Sequence, residues 1–202
     1  MNGHETEAKF YIRDLRKMEL RLQELKAQLI QPRIHERNLR FDNSYNDLRN
    51  ASRVLRLRQD EKARFTFKGP SMEKEGGILS RQEIEFVVED FNIARQFLEA
   101  LGFEAVVFYE KFRTTYELGD IHIMLDELPY GEFVEIEGED VEAIHNIANL
   151  LGLKRDAMIK AGYHALFERV TEKYNLDPSQ LSFAALGRIK ITADDLSIQV
   201  AD

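Results

Sequence analysis

The chain has no cysteine, which excludes a disulfide framework, a zinc–thiolate site and a thiol nucleophile. It also lacks any run approaching the ~18–20 apolar residues of a membrane span, so no membrane partner is expected. Acidic residues begin at Glu5, where a signal peptide would need an apolar core, and a cytoplasmic location is the expectation. A surplus of positive charge is missing as well. The net charge of −8 argues against a wide basic field for nucleic acid, though it leaves room for a small polyanion in a local basic pocket.

What is present is an ordinary globular composition, 44% hydrophobic and 32% charged over 202 residues, enough for one sizeable core. A single domain over 1–202 is expected, with strands between about 4 and 138 and a helical part from about 140 to 202. Residues 14–30 predict a helix: Asp14 is a candidate N-cap, Leu15, Met18, Leu22, Leu25 and Leu29 recur at helical steps, and Pro32 follows the stop. Residues 34–42 predict a charged strand, and 53–59 with 63–68 a hairpin. Residues 71–79, containing Gly76 and Gly77, predict a mobile loop. Further strands are expected at 81–88, 104–117, 121–126 and 132–138. Helices are expected at 90–101, with Phe91, Ala94, Phe97, Leu98 and Leu101 inward, at 140–151 and at 156–174. This is an α+β pattern of about eight mostly antiparallel strands.

Side chains alternate between the two faces of a strand, and sorting each strand by parity separates two sets. One face carries Glu5, Glu7 and Lys9; Arg56 and Arg58; Arg64, Thr66 and Lys68; Arg81, Glu83 and Glu85; Lys111 and Arg113; His122 and Asp126; Glu135 and Glu137. The other carries apolar residues such as Phe10, Leu57, Phe65, Ile84, Phe86, Ile123 and Ile136. Two architectures satisfy this. An open sheet could expose its charged face to water. Alternatively the sheet closes with the charged face inward and helices outside; so many enclosed charges then need ligands or one another. The sign-sorted blocks favour closure. Arg56, Arg58, Lys68, Lys111 and Arg113 suit phosphate oxygens, while Glu5, Glu7, Asp126, Glu135 and Glu137 are hard oxygen donors that suit Mg²⁺ or Mn²⁺.

The opening Glu5-x-Glu7-x-Lys9 resembles the ExExK signature of the CYTH superfamily, the triphosphate tunnel enzymes. That family groups class IV adenylate cyclases with thiamine triphosphatases and inorganic tripolyphosphatases. LRLR at 55–58, TFKGP at 66–70, SRQEIE at 80–85, EKFRTTY at 110–116, LD at 125–126 and GEFVEIEG at 131–138 resemble the family's blocks in family order. The resemblance implies a closed eight-stranded antiparallel β-tunnel with helices packed outside, acting on a triphosphate with Mg²⁺ or Mn²⁺. It implies Glu5, Glu7, Asp126, Glu135 and Glu137 as metal ligands, and Lys9, Arg56, Arg58, Lys68, Arg81, Lys111 and Arg113 as substrate-binding cations. Lys9, Glu83 and Glu85 are the implied catalytic residues. The His-Phe pair that class IV cyclases often carry upstream of ExExK is missing, since only Met1-Asn2-Gly3-His4 precede it.

The expected substrate is ATP, converted to cyclic AMP and pyrophosphate. The alternatives are hydrolysis of tripolyphosphate or thiamine triphosphate, and a non-catalytic module that binds polyphosphate or nucleotide. A homodimer is the one macromolecular partner considered. His122 is a candidate acid–base group beside its reading as a structural histidine, and Tyr163 a candidate for closing one tunnel mouth beside simple core packing.

Overall fold

The computed structural model describes residues 3–187 and 189–202, Glu75 by its backbone alone. In chain order the elements are β1 (His4–Ile12), α1 (Leu15–Glu24), β2 (Gln28–Asp42), α2 (Asp47–Asn50), β3 (Val54–Gln59), β4 (Ala63–Lys68), β5 (Met72–Glu73) and β6 (Leu79–Val88). They continue with α3 (Phe91–Ala100), β7 (Glu104–Leu118), β8 (Ile121–Leu128), β9 (Gly131–Glu137), α4 (Val141–Leu150), α5 (Tyr163–Tyr174), β10 (Gln180–Leu181) and α6 (Phe183–Leu186).

Strand pairing runs β1-β9-β8-β7-β2-β3-β4-β6, and β6 pairs with β1 to close the ring. The eight ring strands are antiparallel to their neighbours. β5 adds a short pairing on β6, and β10 a parallel one on β7. The open-sheet alternative is thereby excluded. Closure leaves one face of every ring strand inward, so parity alone decides which side chains meet in the interior.

The outward apolar residues of β1, β8 and β9, among them Phe10, Ile123 and Ile136, form a core with Met18 and Leu22 of α1 and Ile144 and Ala148 of α4. A second core joins Phe133 and Tyr130 to Leu166, Phe167 and Val170 of α5 and to Leu196 beyond it. A smaller one seats Ala94 and Leu98 of α3 against Phe41 and Leu57.

Several boundaries differ from the sequence expectation. Asp14 does cap α1, its carboxylate accepting the Lys17 N–H at 3.0 Å, but the helix stops at Glu24 rather than at 30. The chain reverses at Lys26, whose φ of +59° is left-handed, and Gln28 already pairs with Glu117 in β2. Pro32 therefore lies inside β2, at a register shift between Gln31 and Ile34, where a missing N–H costs no ladder bond. The helix expected at 156–174 begins at Tyr163. Ahead of it Ile159 is buried and donates its N–H to the Lys9 carbonyl at 2.8 Å, and Gly162 starts the helix.

Residues 72–77 form β5 and one 3₁₀ turn over α4. Gly76 has φ +73° and approaches His145 so closely that a Cβ would lie 2.3 Å from its Nε2, so only glycine fits. In α3 the inward expectation fails for Phe97 and Leu101, which are exposed, and the outer faces of Ile84 and Phe86 on β6 are likewise uncovered.

Candidate functional site

The inward faces enclose a cavity of ≈ 1710 Å³ lined by Glu5, Glu7, Lys9, Arg56, Arg58 and Lys68 on one group of strands. Arg81, Glu83, Glu85, Lys111, Arg113, Glu135 and Glu137 complete the charged wall. Every residue that the sequence assigned to substrate binding faces this space. Asp126, from the same parity, is fully buried beside it.

Cations and carboxylates pair across the lumen. Lys9 reaches Glu135 at 2.9 Å and Glu7 at 3.4 Å. Lys68 lies 2.7 Å from Glu5 and 3.2 Å from Glu83, and Arg81 donates to Glu5 at 2.8 Å. Burial alone would raise the Glu5 pKa, but Lys68 and Arg81 outweigh it and hold the carboxyl well below its usual range. Glu135 behaves the same way under Lys9, Arg113 and Lys111, and the Arg113 guanidinium donates to it directly.

Arg56 and Arg58 project from β3 at alternate positions. Arg56 donates to the Thr66 hydroxyl at 3.0 Å and to the Tyr109 oxygen at 3.3 Å. Arg58 donates to Glu85 at 2.9 Å and lies 3.4 Å from Asp60 and 3.7 Å from Glu36, so it belongs to scaffold and site at once. Arg64, expected on the same face, is drawn to Asp60 at 2.5 Å and lines a separate small cavity of ≈ 180 Å³.

Asp126 is held by cations and a phenol. Lys111 donates to it at 2.9 Å, Arg113 at 2.6 Å and the Tyr163 hydroxyl at 2.8 Å. Tyr163 is thus both a core residue and a wall of the cavity: its ring packs edge-on against Phe133 and sits 4.4 Å from Lys9 Nζ. His122 lines the rim, half exposed, 3.4 Å from Glu117. His4 opens β1 opposite Gln82.

Parity within 34–42 places inward-facing residues that the sequence reading left unsorted. Glu36, Asn38 and Arg40 share one face of β2, and Glu36 and Asn38 are buried. Burial would raise the Glu36 pKa, yet Lys111, Arg113, Arg58 and Arg56 bring it down to about 2. Tyr109, two residues before Lys111, is a second omission. Burial opposes its ionisation, but Arg56, hydrogen-bonded to it, and then Lys111 and Arg40 hold its pKa below the ordinary phenol value.

The carboxylates suit a hard divalent cation. Burial pushes the Glu137 pKa up to about 7, and the neighbouring charges of Glu5, Glu7 and Glu83 add to it against Lys68. That corner therefore holds more negative charge than its cations neutralise, with oxygen donors only. Among the described residues no three such side chains already converge into a cage, because Glu5 and Glu135 are turned toward lysine and arginine. No described helix is long and apolar enough to cross a membrane.

Comparison with known proteins agrees with this geometry. A protein of Methanocaldococcus jannaschii, provisionally named an adenylate cyclase, is 29% identical over 170 residues, covering 79% of this chain and 95% of its own length. A solved structure from Vibrio parahaemolyticus, with the same provisional name, superposes with a TM-score of 0.74 at 18% identity, over 83% of this chain and 99% of its own. A Hippeastrum protein, described as an adenylyl cyclase candidate with a dominant triphosphatase activity, gives 0.62 at 18% identity, over 81% of this chain and 95% of its own. The CYTH domain matches residues 3–163, and the chain belongs to that family, whose members are adenylate cyclase-like or triphosphatase enzymes and are generally metal-dependent.

Proposed function

We propose that this protein cleaves a P–O bond of a triphosphate inside the tunnel, with ATP converted to cyclic AMP and pyrophosphate as the first reading. The observation that carries it is the closed lumen in which Lys9, Arg56, Arg58, Lys68, Arg81, Lys111 and Arg113 face one cavity with the acidic residues of β1, β6 and β9. Catalysis in such a site is positioning plus electrostatics. Arg56 and Arg58 present two planar forks about 7 Å apart along β3, a span suited to successive phosphates. Lys9, Lys111 and Arg113 neutralise charge on the leaving phosphate as it develops.

Glu5, Glu7, Glu135 and Glu137 would hold Mg²⁺ or Mn²⁺, which supplies charge neutralisation and activation of the attacking oxygen when bound; Asp126 supports Lys111 and Arg113 from behind. In cyclisation the ribose 3′-oxygen bonds to the α-phosphorus, the bond to the β-phosphate oxygen breaks, and pyrophosphate leaves. The hydroxyl proton passes to a carboxylate oxygen of Glu83, whose pKa burial raises, with Glu5 adding to it against Lys68 and Arg56.

Hydrolysis of tripolyphosphate or thiamine triphosphate is the second reading, favoured by the activity ascribed to the Hippeastrum protein. The test is a panel of ATP, tripolyphosphate and thiamine triphosphate with Mg²⁺ or Mn²⁺, scoring cyclic AMP, pyrophosphate and orthophosphate separately. Cyclic AMP and pyrophosphate in equal amounts support the first reading. Orthophosphate without cyclic AMP selects the second, and no product from any substrate overturns both.

A further inference from the structure

Each cation assigned to the tunnel from the sequence has a carboxylate partner within 3.5 Å. Arg40 departs from this pattern. It lines the same cavity and stands opposite Arg56 in the β2–β3 register, yet its side chain makes no hydrogen bond or ion pair among the described residues. Burial holds its pKa below the usual arginine range, and Arg49 and Arg81 add to that against Tyr109 and Glu168. Glu168, the carboxylate that acts on Arg40, is already engaged by Arg49 at 2.7 Å. His164 lines the cavity beside them, its buried Nδ1 without a hydrogen-bond partner and its Nε2 3.6 Å from Glu168.

The backbone that carries Arg49 is held in place. Asp42 is buried and accepts the backbone N–H groups of Leu48 and Arg49 at 3.0 and 2.9 Å, and Asn43 accepts those of Tyr45 and Asp47, both at 3.1 Å. The loop that carries Arg49 is thereby folded back toward β2. His164 lies in the first turn of α5.

We propose that Arg40, Arg49 and His164 form a further phosphate subsite continuing the cation row of the tunnel, so that the protein accepts linear polyphosphates longer than three phosphates. Cross-strand neighbours such as Arg40 and Arg56 have Cβ atoms about 5 Å apart, close enough to hold adjacent groups of one chain. Two guanidinium forks and an imidazole donor match the several oxygens of a terminal phosphate better than the two of a carboxylate. The cavity also exceeds the ~300–1,000 Å³ of ordinary small-molecule sites. The inference rests on the tunnel binding a triphosphate, and its test separates the two claims.

Calorimetric titration of the full chain with inorganic tripolyphosphate and with linear tetraphosphate, in EDTA and with Mg²⁺, reads both. Wild type is expected to bind tetraphosphate at least tenfold tighter. Arg40→Gln and Arg49→Gln are each expected to cut that advantage below threefold while tripolyphosphate binding changes less than twofold. Arg49 is exposed, so its variant keeps the test alive if melting curves show that Arg40→Gln does not fold. Equal affinity of wild type for the two chains overturns the subsite, as does an equal loss for both chains in the variants. So does orthophosphate binding to tripolyphosphate-saturated protein without any tetraphosphate advantage. Failure of wild type to bind either chain in both buffers overturns the tunnel reading, and the subsite with it.

Discussion

Glu137 and Glu36 show how one residue type serves opposite ends on the inward faces of one ring. Burial, with the charges of Glu5, Glu7 and Glu83 adding to it, raises the Glu137 pKa from the ordinary value of 4.5 to about 7. The native state then binds more protons than the unfolded chain between those two values, and stability falls as pH rises through the window. In EDTA, Glu137→Gln is expected to be more stable than wild type by ~1–2 kcal/mol above pH 7, with the difference vanishing near pH 4.5. Denaturant melts across that range measure it. Equal stability at pH 8 would show that the carboxylate is solvated, and Mg²⁺ should stabilise wild type far more than the variant. Glu36 lies 3.7 and 3.8 Å from Arg58 and Lys111, and its contribution has the reverse sign. It is present above the ordinary carboxylate range and is lost as pH falls toward about 2. Glu36→Gln is expected to cost ~2 kcal/mol at pH 7 while strengthening tripolyphosphate binding, since two cations lose a competitor. A variant that is destabilised but binds no tighter would place Glu36 in the scaffold alone.

At the level of elements, what could be read from the sequence was what depends on period two. Alternation in β1, β3, β4, β6, β7 and β9 assigned the charged lumen residues to the correct face, because closure turns parity directly into position. Glu36, Asn38 and Arg40 obey the same rule and could have been found by applying it to 34–42. Helix ends were less legible. Leu25 and Leu29 continue the spacing of α1, but Leu25 is its C-cap and the left-handed Lys26 turns the chain before Leu29, a conformation that residue type does not announce. The start of α5 depends on the docking of Ile159 to β1, a tertiary contact. That helix carries an element-scale prediction. Tyr163→Phe removes the hydroxyl that donates to Asp126 but keeps the ring beside Lys9 and Phe133. A loss of ~1.5–3 kcal/mol is expected, as for a hydrogen bond to a charged group, with tripolyphosphate affinity within threefold of wild type. Tyr163→Ala should lose further stability through the cavity it leaves and weaken binding as Lys9 loses its support. Melting curves and titrations on both variants check this, and unchanged stability in Tyr163→Phe would show that Lys111 and Arg113 already satisfy Asp126.

For the whole molecule, on the proposed reading, the paired lumen makes phosphate and divalent cation expected to act together. Each cation handed to a phosphate leaves a buried carboxylate without its partner, and breaking such a pair costs ~3–5 kcal/mol. Lys68 and Arg81 share Glu5, and Lys9 and Arg113 share Glu135, so a polyanion alone exposes this cost at two carboxylates. A divalent cation placed among Glu5, Glu7 and Glu137 offsets it. The same cation without phosphate must instead compete with lysine and arginine already in place. Tripolyphosphate alone and Mg²⁺ alone are therefore each expected to raise the melting temperature by a degree or two. Together they should stabilise by ~2.7 kcal/mol at a hundredfold excess over Kd, or roughly 5–10 °C for a chain of this size. Thermal melts at fixed ionic strength with each ligand and with both measure the coupling, the fixed strength removing the screening that either salt brings. Additive shifts would mean that the two ligands occupy independent sites, and the exchange of partners inside the tunnel would then have to be abandoned.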